Sequence, residues 1–271
     1  MPELPEVETT RRGLAPLLAG RRITAFEVRE PRLRWPVPPE LVQQLAGARV
    51  RSLTRRAKYL LLETDRTGLL LHLGMSGSLR HCTPETPLRR HDHLTLHLDN
   101  GYQVRLHDPR RFGCCLPLPE GAGPHALLAG LGPEPLDPEF DGDSLFRRSR
   151  GRRGPIKAFI MDQAIVVGVG NIYATEALFL AGVRPGRAAG RVTRAEYERL
   201  ASHIKAVLAA AIEQGGTTLR DFLHEDGTHG YFRQSLRVYG RAGEPCPVCA
   251  EVLHTRRIGQ RASSYCPTCQ K

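Results

Sequence analysis

HLTLHLDNGYQVRLHD, residues 93–108, decides how the first half of the chain is read. Leu94, Leu96 and Leu98 alternate with polar neighbours, as do Tyr102, Val104 and Leu106. A period of two turns one face of each strand inward. Asn100-Gly101 between the two runs is the strongest short hairpin signal and reads as a two-residue turn. Working outward, the strand pattern extends from about Ile23 to Leu118, as a β-sandwich or barrel. In front of it lies a helix: Pro5 suits a first helical turn, Glu6 and Glu8 its positive end, and Gly20 its close. Leu14, Leu17 and Leu18 supply its apolar positions.

Beyond the strands the pattern changes. Pro117, Pro119, Pro124, Pro133, Pro135 and Pro138 break any long element, leaving at most a short helical turn in ALLAGLG. That connection ends in RRSRGRRGPIK, residues 147–157, a basic run without an acid. Helices follow. Asn171 is placed to cap NIYATEALFLAGV, which Gly182 and Pro185 terminate. Thr193 and Glu196 form a capping box for a helix whose Leu200, Ile204, Val207, Leu208, Ala211 and Ile212 keep the 3.6 period. Gly215-Gly216 closes it. The chain thus reads as an α+β multidomain protein. Its parts are a β-sandwich over 1–118, a connection over 119–154, a helical domain over 155–235 and a C-terminal module over 236–271.

Composition narrows the partners. Of 271 residues, 41% are hydrophobic and 25% charged, as in globular proteins. Lys and Arg exceed Asp and Glu by 39 − 28 = 11, which points to a polyanion, most often nucleic acid. No signal-peptide pattern and no apolar run of about 18 residues is present, so the expectation is a cytoplasmic protein with reduced thiols and no membrane partner. Seven cysteines then need a reason other than disulfides.

Four of them give it. CPVC and CPTC place Cys246, Cys249, Cys266 and Cys269 as two CxxC knuckles sixteen residues apart. The spacing suits one tetrahedral zinc ion with a β-hairpin between the knuckles. Paired disulfides or redox thiols are the alternatives, but no thioredoxin-like βαβ context accompanies them. With four thiolates the metal has no open position, so its role is structural. Cys82, Cys114 and Cys115 read as buried small hydrophobes. His91, Asp92 and His93 suggest a metal pair that lacks an evident third ligand.

MPELPEVETTRRGL, RRAKYLLL, HLGMSGSL, DPRRFG, GVGNIYATEALF, GGTTLRDF and YCPTCQK, in this order, resemble bacterial formamidopyrimidine-DNA glycosylase over essentially the whole chain. PELPE favours that oxidised-purine branch over the endonuclease VIII-like branch, which tends to begin Pro-Glu-Gly-Pro-Glu. The resemblance implies a β-sandwich, a helix-two-turns-helix domain and a zinc finger. It also implies a bifunctional glycosylase and AP lyase that excises 8-oxoguanine and formamidopyrimidines from damaged double-stranded DNA as a monomer.

The same resemblance assigns residues. With Met1 removed, the Pro2 amine becomes the terminus. An α-amino group titrates near 8 and lysine near 10.4, so on the order of 10% of the former is neutral at pH 7 against well under 0.1% of the latter. A neutral amine can attack C1′, expel the base and leave a Schiff base. The resemblance makes Pro2 that nucleophile, Glu3 the general acid on the ring oxygen and Glu6 a carboxylate that orients the amine; helix-dipole complementation is the alternative for both acids. Glu8 reads as a surface or capping charge. Lys58 is implied as a catalytic cation, and Arg261 as a phosphate ligand acting in the last elimination. Met75, Arg110 and Phe112 match the residues that fill the gap left by a flipped base. Asn171, His91 and Arg152 match DNA contacts, and GGTTLRDFLHEDG a mobile loop over the extruded purine. Two departures stand out: GQRASSY around Arg261, and Cys114-Cys115 after DPRRFG. The rivals are the same chemistry on oxidised pyrimidines and a non-catalytic zinc-finger DNA-binding protein.

Overall fold

The computed structural model describes residues 2–118, 125–216 and 235–271. They fall into two compact units, Met1–Ala129 with Gly215–Tyr231, and Gly130–Gln214 with Phe232–Lys271.

The first unit begins with helix α1 (Leu4–Leu18). Glu3 is its N-cap, and a capping box forms with Glu6, whose carboxylate accepts the Glu3 N–H at 2.8 Å. Then come β1 (Ile23–Val28), a short α2 (Leu41–Leu45), β2 (Val50–Arg56), β3 (Tyr59–Thr64), β4 (Gly68–His72), β5 (Ser78–Cys82), β6 (Asp92–Leu98), β7 (Gln103–His107) and β8 (Cys114–Leu118). They form two four-stranded antiparallel sheets, ordered β1-β6-β7-β5 and β2-β3-β4-β8. Phe26, Leu94, Leu96, Val104 and Leu106 from one sheet meet Leu53, Leu60, Leu62, Leu69, Leu71 and Cys115 from the other in one core, joined by Val7, Leu14 and Leu18 of α1. Each such leucine, fully buried, contributes about 1.5–3 kcal/mol. Cys82, Cys114 and Cys115 are buried thiols, as expected.

The 93–108 hairpin forms, but its turn differs from the expected two-residue one. The Leu98 N–H bonds the Tyr102 carbonyl at 2.9 Å and the Gly101 N–H the Leu98 carbonyl at 3.1 Å. Three residues, Asp99 to Gly101, therefore make the loop, with Gly101 at φ +86°. Tyr102 falls outside the strand, exposed, with its ring stacked on His81 at 4.5 Å.

After α3 (Ala126–Ala129), the second unit contains α4 (Gly142–Ser149), α5 (Ile156–Ile160), α6 (Asn171–Ala181), a 3-10 turn (Ala189–Arg191), α7 (Arg194–Glu213), and the hairpin β9 (His254–Ile258) and β10 (Arg261–Tyr265). The α7 capping box of Thr193 and Glu196 is present, and Gly182 ends α6 in the left-handed region at φ +71°. Helix α4 lies where the proline-rich sequence promised none; Asp141 caps it by accepting the Ser144 N–H at 2.7 Å. The basic run is less free than it looks in sequence. Arg147 pairs with Asp143 at 2.9 Å, Arg148 donates to the carbonyls of Ala164 and Ile165, and Arg150 lies 3.9 Å over the Phe146 ring.

Candidate active site

In the first unit the acids at the start of α1 are withdrawn from water. Pro2 is buried, and Glu3 and Glu6 are each only 2% exposed. A charge that merely complements a helix dipole has no need of burial, which is costly for an ion. Lys58, the cation implied by the resemblance, is likewise buried. It occupies the second position of the two-residue turn joining β2 to β3, where Arg56 pairs with Tyr59 and Ala57 takes φ +55°. Its charge reaches His72 on β4: burial, then Lys58 and Arg34, bring the His72 pKa down to about 4. Gly216, the last described residue of GGTTLRDFLHEDG besides Gly215, backs onto Glu6; a Cβ there would lie 3.1 Å from Oε1. The rest of that stretch lies outside the described residues.

Glu8 corrects the sequence reading. It is no surface charge but a buried carboxylate, bonded to Arg11 at 2.7 Å, Arg12 at 3.2 Å and Arg55 at 3.0 Å. Burial pushes its pKa up, but the bonds from Arg11 and Arg55 outweigh that and hold it below the usual range.

Met75 and Phe112 are among the few large apolar side chains left exposed. Met75 sits between β4 and β5, Phe112 between β7 and β8. The two loops lie back to back because glycines allow it. A Cβ on Gly74, at φ +64°, would come within 2.4 Å of the Phe112 carbonyl carbon; one on Gly113 would come within 2.7 Å of the His72 oxygen. The Arg110 guanidinium stacks 4.9 Å over the Phe112 ring. Beneath them the buried Asp108 accepts the Gly113 N–H at 2.8 Å. The His72 Nδ1 accepts the Gly74 N–H at 2.9 Å, which makes this ring a neutral Nε2–H tautomer.

His91 is half-buried between the rings of His93 and His107, at 5.8 and 6.0 Å. Its pKa is lowered by desolvation and by the positive groups around it. His93 bonds the Asp108 carbonyl, and His107 and Arg80 bond Asp92 at 2.9 and 2.8 Å. This histidine cluster does not bring together a metal site; among the described residues only the four cysteines do.

In the second unit Asn171 is not the cap expected of it. Gly170 takes that position and Asn171 is the first residue of α6. Its amide oxygen accepts from Lys157 Nζ at 2.7 Å, and the same ammonium bonds Ser263 Oγ at 2.7 Å. Lys157 thus ties the start of α6 to β10, and sequence reading passed over it as one more charge in a basic run. Arg261 is exposed at the first position of β10, just after Gly259 and Gln260 turn the chain with φ of +53° and +61°. Arg152 lines an open pocket of about 430 Å³ with Arg153 and Arg191. Glu176, also missed, accepts three backbone N–H groups, from Arg237, Val238 and Tyr239, at 2.7–3.0 Å. Only a buried acid inside NIYATEALF hinted at it.

The sulfur atoms of Cys246, Cys249, Cys266 and Cys269 lie within 4.8 Å of one another, with contacts of 3.9 and 3.5 Å across the knuckles. A tetrahedron of zinc–sulfur bonds near 2.3 Å spaces sulfurs by about 3.8 Å. The Val248 and Cys269 N–H groups point at sulfur, as thiolate ligands require. The donor set fits one structural zinc ion.

Comparison with known proteins places these features. Residues 1–115 match the formamidopyrimidine-DNA glycosylase N-terminal domain, 131–223 its H2TH domain, and 243–271 the zinc finger found in FPG and IleRS. The chain is 61% identical to a formamidopyrimidine-DNA glycosylase of Thioalkalivibrio sulfidiphilus and 59% to one of Stenotrophomonas maltophilia, each over all of both chains. Among solved structures it is similar to the MutM (FPG) protein of Thermus thermophilus, with TM-score 0.89 and 39% identity over 99% of this chain and 98% of that one. It is also similar to a Lactococcus lactis FPG mutant in complex with a Fapy-dG containing DNA, with TM-score 0.93 and 33% identity over the whole of both.

Proposed function

The chain belongs to the formamidopyrimidine-DNA glycosylase family, and from that premise we propose how its residues divide the work. It is a base-excision-repair DNA glycosylase that acts on oxidised purines in DNA, with the AP lyase activity of its family. Pro2, freed of Met1, is the nucleophile. Its amine lone pair forms a bond to C1′ of the damaged nucleotide, the glycosidic bond breaks and the base departs with that electron pair. Glu3 protonates the ring oxygen as the sugar opens to the Schiff base. Glu6, already bonded to the Glu3 N–H, keeps this turn in place. Lys58 assists base loss or elimination, and Arg261 holds phosphate for the last of the β,δ-eliminations. Met75, Arg110 and Phe112 occupy the space that the flipped nucleotide vacates. Asn171, His91 and Arg152 bind the strand.

The observation that carries this reading is the contrast within one unit. Glu3, Glu6 and Lys58 are buried, while Met75 and Phe112 stay exposed. In this reading residues 1–118 are the catalytic domain, 119–154 the connection, 155–235 the DNA-binding domain and 236–271 the zinc finger, in a protein that acts as a cytoplasmic monomer. No helix among the described residues is long and apolar enough to cross a membrane. Borohydride trapping on duplex DNA containing 8-oxoguanine tests the nucleophile. The native terminus should give a covalent adduct, and a form extended before Pro2 should give none. An adduct from the extended form would move the nucleophile elsewhere.

A further inference from the structure

Arg55 spans two elements that the proposed chemistry must hold in register. Its Nε donates to Glu8 Oε2 at 3.0 Å, and its Nη1 donates to the Ala57 carbonyl at 2.8 Å. Glu8 stands on α1, two residues beyond Glu6 of the capping box. Ala57 is the residue before Lys58, in the turn between β2 and β3. One planar guanidinium therefore joins the helix that carries Pro2, Glu3 and Glu6 to the turn that carries Lys58. Both side chains are about 12% exposed, so solvent competes weakly for the pair. The turn needs such a hold. Ala57 sits at φ +55°, which is unfavourable for a residue with a Cβ, and its carbonyl is fixed from the side of the strand. The arrangement is fed from the helix side as well, since Arg11 Nε and Nη2 also close on Glu8.

We propose that Glu8 and Arg55 are positioning residues for the excision reaction, a strut that sets the distance and angle between the proline terminus and Lys58. The proposal rests on the assignment of Pro2 and Lys58 made above. A planar fork can serve both ends of the strut at once; a lysine ammonium at position 55 keeps the charge but not that geometry. Displacement of reacting groups by about 1 Å costs on the order of a hundredfold in rate. The strut should therefore show itself in rate and not in affinity.

The experiment is single-turnover borohydride trapping on 8-oxoguanine duplex, at several pH values, for the full-length protein and its Arg55→Ala, Arg55→Lys and Glu8→Gln variants. Duplex affinity and thermal melting are measured alongside. Arg55→Ala and Arg55→Lys should both slow trapping by about tenfold or more, with affinity held within about twofold at temperatures where each variant is folded. Glu8→Gln, which keeps an acceptor oxygen for Arg55, should retain a rate within about threefold of wild type. Wild-type trapping by Arg55→Lys would overturn the strut, and so would a loss of rate that merely tracks lost affinity or lost fold. A wild-type protein that traps nothing would instead overturn the assignment of Pro2.

Discussion

The sandwich and the zinc module solve the same problem in opposite ways. In the sandwich, two sheets and α1 bury a continuous set of leucines and valines with Ile23 and Phe26, and charged groups such as Glu3, Glu6 and Lys58 are buried in the same unit. In the module, strand β9 is exposed except at Ile258, and β10 buries only the small polar Ser263 and Ser264. The apolar cluster around the metal site is small: Phe179, Val238, Leu253 and the zinc-site cysteines Cys246 and Cys266. A lone two-stranded hairpin is marginal in water. The sandwich can therefore hold buried charges on its own stability, whereas the module presents Arg256, Arg257 and Arg261 only while its metal is bound.

The largest expected effect breaks that comparison most directly. Structural zinc sites contribute about 10–16 kcal/mol of apparent binding free energy to small domains. Chelation, or the pair Cys246→Ser and Cys249→Ser, should abolish amide protection across β9 and β10 and remove DNA binding. Trp35, the single tryptophan, lies in the first unit and reports its unfolding separately. Its fluorescence transition should move by less than a few degrees. A Trp35 transition that collapses with the zinc would mean that the sandwich does not stand alone.

A smaller effect separates the two by pH. The His72 pKa is brought down from 6.5 to about 4 by burial, with Lys58 and Arg34 adding to it. The ring is neutral in the fold, so between these values the unfolded chain binds the extra proton. Its contribution to stability is complete above pH 6.5 and is lost as pH falls toward 4, by at most about 3 kcal/mol. Protonation at Nδ1 also removes the acceptor of the Gly74 N–H, and so loosens the loop that carries Met75. His72→Asn should flatten the acid limb of the Trp35-reported stability curve while leaving zinc release unchanged. An unchanged acid limb would place the sensitive group elsewhere. Glu8 acts lower still: its lowered pKa stabilises above its ordinary 4.5 and that gain fades as pH falls further.

What could be read in the sequence was local. The alternation around residues 93–108, the Thr193–Glu196 capping box and the two CxxC knuckles each lie within one short segment, and each formed. What could not be read depends on partners distant in the chain. Asn171 looks like a cap until Lys157, fourteen residues earlier, takes its amide oxygen. Glu8 looks like a surface acid until Arg55 arrives from forty-seven residues away. Helix α4 was hidden because prolines nearby suggested a connection, while its capping residue Asp141 gave a signal too short to weigh against them. The hairpin turn was misread by one residue, because Asp99-Asn100-Gly101 also suits a three-residue loop with glycine in the left-handed position.

The smallest expected effect on stability is the most telling for function. Phe112 is an exposed apolar side chain, and its described ring contact is the Arg110 guanidinium. Removing it should change the stability of the sandwich by no more than about 0.5–1 kcal/mol, the range of an exposed cation–π contact. If Phe112 instead offsets the unstacking of a flipped base, its loss returns part of a cost of a few kcal/mol to the duplex reaction. Phe112→Ala should then slow excision from fully paired duplex by about tenfold or more and leave zinc content and melting alone. Mispaired duplex, which unstacks more easily, should lose less. An equal loss on both substrates would make Phe112 an ordinary contact and end its role as a wedge.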